Sequence, residues 1–173
     1  MVIISPWSKK LEDGKLNPKD YPYWQELVRG IDEEVIQVGV PGEAQLVKDC
    51  RFGLSLRVLG ELLKTCRTWI SVDNFFPHFA HHFGVSGTVL WGMSDPRIFG
   101  YPENRNILKN KRNLRDNQFW IWKGVEPNLT IWATADFVLG DFYRPSLSEE
   151  HKRKISETKK ELYRRKNEDI CRL

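Results

Sequence analysis

Apolar residues arrive along this chain in short runs, separated by polar stretches rich in glycine and proline. VIIS (Val2–Ser5), EVIQVGV (Glu34–Val40), TWISV (Thr68–Val72) and GTVLWG (Gly87–Gly92) are nearly continuous apolar segments of strand length. Such runs suit strands covered on both faces. Between them the spacing turns helical. Lys19 to Arg29 places Tyr23, Leu27 and Val28 on one side. Ser55–Cys66 is the clearest helix, with Ser55 as N-cap and Leu56, Leu59, Leu63 and Cys66 at helical intervals. A further helix is expected over Phe75–Phe83, a short one over Glu43–Lys48, and an edge strand at NILK (Asn106–Lys109).

Strands alternating with helices predict an α/β domain with a parallel sheet and helices on both faces. Lys109 to Tyr143 carries Trp120, Trp122 and Trp132 among turn residues and predicts irregular packing against the sheet. From Arg144 the composition shifts to a charged stretch with sparse apolar positions, Ile155 and Leu162. With Ser148 as N-cap it reads as a basic helix facing solvent or a charged partner. The expected organisation is therefore one domain over residues 1–143 and a charged helical tail over 144–173.

Charge sharpens that division. The chain of 173 residues has a net charge of +4, yet Ser146–Leu173 holds nine Lys or Arg against six Asp or Glu. The remainder has 18 basic and 17 acidic residues and is close to neutral. A modest excess of this kind permits contact with nucleic acid without demanding it. No apolar run approaches the roughly 20 residues of a membrane span. Cys50, Cys66 and Cys171 form no metal spacing and no paired framework, which suits a reducing cytoplasm.

Open α/β sheets hold ligands outside the carboxyl ends of their strands. Loops leaving such ends carry Pro6-Trp7-Ser8 with Lys15 beyond, Gly39 to Glu43, Asp73 to His78, and Gly92 to Asp95. They offer a cation, hydroxyls, glycine-permitted backbone approach, two acids and an imidazole. The helix start after Asp73 adds N–H groups that suit a phosphate. The set points to a nucleotide diphosphate, although neither G-x-x-x-x-G-K-[ST] nor G-x-G-x-x-G occurs.

These segments resemble the C-terminal, nucleotide-sugar-binding half of glycosyltransferase family 9, the heptosyltransferase-like enzymes. The resemblance covers about Val2 to Asn106 and rests on SPWS with Lys15 and NPKDYPYW, VGVPGE, GLSLRVLGELL, ISVDNFFPH and GMSDP, in the family's order and spacing. It implies a Rossmann-like domain, half of a B-type glycosyltransferase, with no cofactor or metal and a nucleotide-diphosphate sugar as substrate. It further implies that Ser8 and Lys15 contact phosphates, Glu43 holds the ribose hydroxyls and Leu54 flanks the base. Asp73 would contact sugar or diphosphate, N–H groups from Asn74 onward would cap a phosphate, and His78 would orient that loop or reach the sugar. Two departures stand out. The family's Thr-Gly is Asn74-Phe75 here, so Phe75 is expected to block or reshape the backbone approach that glycine permits. The first strand also opens the chain, so the acceptor half and the catalytic base are expected from a second chain or another copy of this one, and the catalytic residues are unassigned.

Each residue also has a plainer reading. Asp73 suits a helix N-cap, Lys15 a solvated charge, Glu43 a favourable helix-dipole position, and Asp95 a turn former. The spacing of His78, His81 and His82 is one that zinc sites use, but a partly buried helix face fits His81 and His82 better. The tryptophans read as core. The tail segment Ser146–Lys160 resembles short helical DNA-contacting modules of phage homing endonucleases. That likeness would make Lys152, Arg153, Lys154, Lys159 and Lys160, with Arg164 and Arg165, phosphate contacts, against a solvated helix of Glu–Lys pairs. The functions expected are thus donor binding for glycosyl transfer, a non-catalytic nucleotide or nucleotide-sugar module such as a phage-borne sequestering protein, or a DNA-associated modification protein held by its tail.

Overall fold

The computed structural model describes residues 1–11, 17–120, 122 and 125–143. Met1–Phe142 forms one compact unit. Lys15, Cys171 and the whole expected tail, including Lys152, Arg153, Lys154, Lys159 and Lys160, lie outside the described residues.

Six parallel strands form a single sheet: β1 (Val2–Ser5), β2 (Val35–Gly39), β3 (Asp49–Phe52), β4 (Thr68–Val72), β5 (Thr88–Trp91) and β6 (Arg105–Leu108). Their spatial order is β3-β2-β1-β4-β5-β6. The direction of strand addition therefore reverses between β1 and β4, which run side by side from Val2↔Thr68 to Ser5↔Ser71. Among the described residues five α-helices accompany the sheet: α1 (Trp24–Arg29), α2 (Leu56–Thr65), α3 (Phe75–His82), α4 (Pro96–Phe99) and α5 (Ala135–Phe142).

Side-chain alternation along the central strands splits the core in two. Val2, Ile4, Ile70, Val72 and Leu90 point to one face and pack with Trp24 and Leu27 of α1 and Val138 of α5. Ile3, Trp69, Val89 and Trp91 point to the other and pack with Leu59 and Leu63 of α2 and Phe76 and Phe79 of α3. Both faces being covered, the strands need no polar side, which is why their sequences are continuously apolar. Trp24, Trp69, Trp91 and Trp132 are core, as expected; Trp120 is exposed, and Trp7 and Trp122 are half-buried.

The expected strands at β1, β2, β4, β5 and β6 are present, as are the helices at α2 and α3. Three expectations need correction. The first helix is shorter than Lys19–Arg29, because Asn17-Pro18-Lys19 is held in a turn by the Asn17 side chain accepting from Lys19 N–H at 3.1 Å. Glu43–Lys48 forms no helix and is followed by strand β3. The cause is Gln37, fully buried on β2. Its amide donates to Ala44 O at 2.8 Å and accepts from Leu46 N–H at 2.8 Å, so these backbone groups are satisfied across the loop and not along a helix. The described residues between Lys109 and Thr134 are irregular, as expected, apart from 3-10 turns at Lys111–Asn113 and Leu129–Ile131, but the segment ends in α5, whose Val138 and Phe142 are buried.

Replacing Gln37 by Met should leave the Leu46 N–H without its acceptor. The expected cost is about 1–3 kcal/mol, read as a lower urea midpoint, with faster amide exchange at Leu46 than elsewhere in the sheet.

Candidate functional site

A cleft of about 720 Å³ opens at the carboxyl edge of the sheet, where the ends of β1, β2, β3 and β4 meet. The strand-order reversal produces it: loops after β1 and β4 turn away from each other and leave a crevice. Ser8, Glu43, Leu54, Asp73, Asn74 and His78 all line this cleft. The loops read from the sequence therefore supply five of these residues from three strand ends, and the resemblance adds Leu54, which follows β3. The loop Gly92 to Asp95 does not line it. Asp95 instead N-caps α4, accepting from Arg97 N–H at 2.9 Å, and its carboxylate pairs with the Arg97 guanidinium at 2.7 Å. That contact holds the Asp95 carboxyl below the usual range.

Asn74 organises the cleft. Its side-chain nitrogen lies 3.2 Å from Ser5 O, 3.1 Å from Ser5 Oγ and 3.0 Å from Trp7 O, while its oxygen accepts from Phe76 N–H at 2.8 Å. One residue thus N-caps α3 and ties the end of β4 to the end of β1. This arrangement bears on the expected phosphate cap. The N–H groups at the start of α3 are largely engaged within the fold: Asn74 N–H donates to Val72 O at 2.9 Å, Phe76 N–H to the Asn74 side chain, and Pro77 has none. The Asn74 and Phe76 N–H groups are therefore engaged within the fold, and Asn74 is a tie and a cap.

The loop after β1 is equally well held. Asp20 accepts from Ser8 N–H at 2.7 Å. Ser8 Oγ donates to Asp73 O at 3.4 Å. The Trp7 indole N–H donates to Ala44 O at 2.8 Å. Burial pushes the Asp20 carboxyl up from 3.8 to about 6, against the opposing hydrogen bonds from Ser8 and Asn17 and the charge of Lys19. Asp73 does not cap α3, a task that falls to Asn74. Its carboxylate meets Lys19 Nζ at 3.3 Å, both side chains being mostly buried.

Lys19 is a cation that the sequence reading passed over in favour of Lys15. Its signal was its place just after Asn17-Pro18, where the turn carries it back to the β4 end. Trp122 also lines the cleft. It comes from the segment that sequence alone left unread. Arg115 lies 3.7 Å from the Trp122 ring centroid and donates to Gln118 O and Trp120 O, which fixes the indole from behind. His78 is exposed, and its Nδ1 lies 2.9 Å from the Tyr101 hydroxyl. His81 and His82 are exposed and not partly buried: His81 stacks on Tyr101 at 3.8 Å and pairs with Glu103. Among the described residues no group of His, Cys, Asp or Glu is placed to hold a metal ion. Cys50 and Cys66 are free.

Two kinds of surface meet in the cleft. Val38, Leu54, Leu56, Leu59, Phe75 and Phe76 line the α2/α3 side. Trp7, Lys9, Lys19, Glu43 and Trp122 line the rest. Glu43 packs against Gly39 so closely that a Cβ there would fall 1.8 Å from its Oε2. That oxygen is buried and accepts no hydrogen bond. Burial raises the Glu43 pKa; the Val40 N–H and Lys10 oppose the rise, and Asp20 adds to it.

No protein-family model, no curated protein and no solved structure matches the chain.

The raised Asp20 pKa means the folded protein holds that proton more tightly than the unfolded chain does. Its contribution to stability is full below about pH 4 and is lost as pH rises through about 6. Asp20→Asn keeps an acceptor for Ser8 N–H and should flatten the decline of Tm between those values relative to wild type. Asn74→Asp retains a good cap but faces the Ser5 and Trp7 carbonyls with a carboxylate. A stability loss of about 2 kcal/mol in urea unfolding is expected.

Proposed function

We propose that the cleft binds a nucleotide-diphosphate sugar and that the chain is a glycosyltransferase-like protein of which this sheet is the donor-binding half. The observation that carries the reading is the buried, unpartnered Glu43 Oε2 beside Gly39. A carboxylate oxygen kept from water without a donor is costly, and a ribose hydroxyl is a donor of the right chemistry. The rest of the cleft supports the same ligand. It is amphipathic, with an apolar α2/α3 side for a base and Lys9 and Lys19 for phosphate charge. The order β3-β2-β1-β4-β5-β6 supports a Rossmann-like reading, in which ligands lie at the reversal between β1 and β4. With Asn74 and Phe76 N–H groups already bonded, Lys19 is the described cation positioned to neutralise a leaving diphosphate.

A second reading is non-catalytic binding of a nucleotide or nucleotide sugar. It is favoured by the state of Asp73, whose carboxylate is paired with Lys19 and so is poorly placed to take a proton from an acceptor.

Thermal-shift and calorimetric titration with ADP, GDP, UDP, CDP and their common sugar conjugates tests both. At least one nucleotide should raise the wild-type melting temperature, and its 2′-deoxy counterpart should raise it less. Glu43→Gln should weaken that nucleotide roughly tenfold or more, the size of a lost charged hydrogen bond, and Asp73→Ala should weaken it by freeing Lys19 from its position. If none of the ligands shifts the melt, the cleft is not a nucleotide site. Sugar release from a bound conjugate selects the transferase reading, and binding with no turnover selects the module.

A further inference from the structure

Phe75 stands where the resembled enzymes have glycine, and it is expected to block or reshape the backbone approach there. The structure gives it a different place. Phe75 is the first residue of α3 and remains 58% exposed while lining an open cleft. Its ring is braced by Phe79, at 5.5 Å between centroids and 36° between planes, and Phe79 is in turn packed on Phe83 at 4.8 Å. Phe83 sits on Gly60 of α2, where a Cβ would fall 2.6 Å from its ring. That close approach sets α2 and α3 side by side, with both helices beginning at the carboxyl edge of the sheet. Leu56, the first residue of α2, is 61% exposed and lines the same cleft. Beneath the two residues lie Leu59 and Phe76, both buried.

An aromatic ring braced by its neighbour and largely exposed, in a cleft that an exposed leucine also lines, offers a slot for a flat group. Solvent alone gives no reason to keep two large apolar residues exposed at one edge. The neighbouring chemistry limits which flat group fits. Glu43 offers a buried acceptor, and Lys9 and Lys19 offer positive charge, all lining the same cleft. A molecule with a planar ring, hydroxyls and an anionic end is a nucleotide. We propose that Phe75 is a stacking platform for the nucleotide base, which lies between Phe75 and Leu56 at the starts of α3 and α2. This rests on the nucleotide reading of the cleft and adds a base subsite that neither Leu54 nor the expected obstruction describes. Stacking on an aromatic ring tolerates every base, so the slot favours a base as such, and a ring polar edge has no described partner to select it by.

The test is titration of wild type, Phe75→Ala and Phe75→Tyr with ADP, GDP, UDP and CDP, and with ribose 5-phosphate, which lacks the ring. Phe75 is mostly exposed, so Phe75→Ala is expected to fold; circular dichroism and the melting temperature check this. The tightest nucleotide should bind Phe75→Ala about tenfold more weakly, within the range base–aromatic stacking supplies, and Phe75→Tyr within about twofold of wild type. Ribose 5-phosphate should bind the three proteins alike. Equal or tighter nucleotide binding by Phe75→Ala would overturn the platform, tighter binding marking Phe75 as an obstruction after all, while leaving the nucleotide reading intact. Parallel losses for nucleotide and ribose 5-phosphate would also overturn it, since the ring would then serve the sugar or phosphate end. Absence of binding by the wild type to any nucleotide defeats the proposed function and this inference together.

Discussion

The side chain of Asn74 holds together the part of the sheet on which everything else depends. At the point where strand order reverses, β1 and β4 are joined by backbone hydrogen bonds only as far as Ser5↔Ser71. Beyond that pair the two chains diverge, one toward Trp7 and the other into α3. Asn74 spans the divergence by reaching Ser5 and Trp7 with its nitrogen and Phe76 N–H with its oxygen. An amide does this where a carboxylate or hydroxyl would not, because it presents two donors and an acceptor from one rigid plane. The crevice that a strand reversal creates is thereby given a fixed floor.

Most polar groups around the crevice are likewise bonded to one another. Ser8 is held by Asp20 and Asp73, Trp7 by Ala44, and Asp73 by Lys19. Such a network fixes geometry before any ligand arrives, which lowers the ordering cost of binding. Against that background the groups left open carry more information than those that are bonded. They are the Glu43 oxygen, Lys9 and the bare faces of Phe75 and Leu56. The proposed ligand is the molecule that complements this remainder.

The same logic explains why Asn74-Phe75 after Asp73 shapes the site without closing it. Asparagine does the structural work at the helix start, so its own N–H and that of Phe76 are bonded within the fold. Phenylalanine follows at the first helical position, where its side chain projects from the helix end and leaves the crevice open. In the proposed nucleotide site, charge neutralisation would fall to the β1 loop and Lys19, and apolar recognition to α2 and α3.

The sequence by itself determined the alternation of elements, because strands buried on both faces must be continuously apolar and the helices between them must show one apolar stripe. It also determined loops that leave the carboxyl edge, and from them Ser8, Glu43, Asp73, Asn74 and His78 of the cleft; Leu54 came with the resemblance alone. What it did not determine were the features set by contacts between distant segments. Nothing in Glu43–Lys48 shows that Gln37 would bind its backbone and deny it a helix, since the local pattern is compatible with one. Lys19 and Trp122 reach the cleft through a turn and through Arg115, partners that are 54 residues from Asp73 and 7 residues back along the chain respectively. The bonding of the α3 N–H groups and the bare face of Phe75 were decided in the same way. Local sequence sets what a segment can form, and only the folded sheet settles which donors, acceptors and ring faces are left for something else to meet.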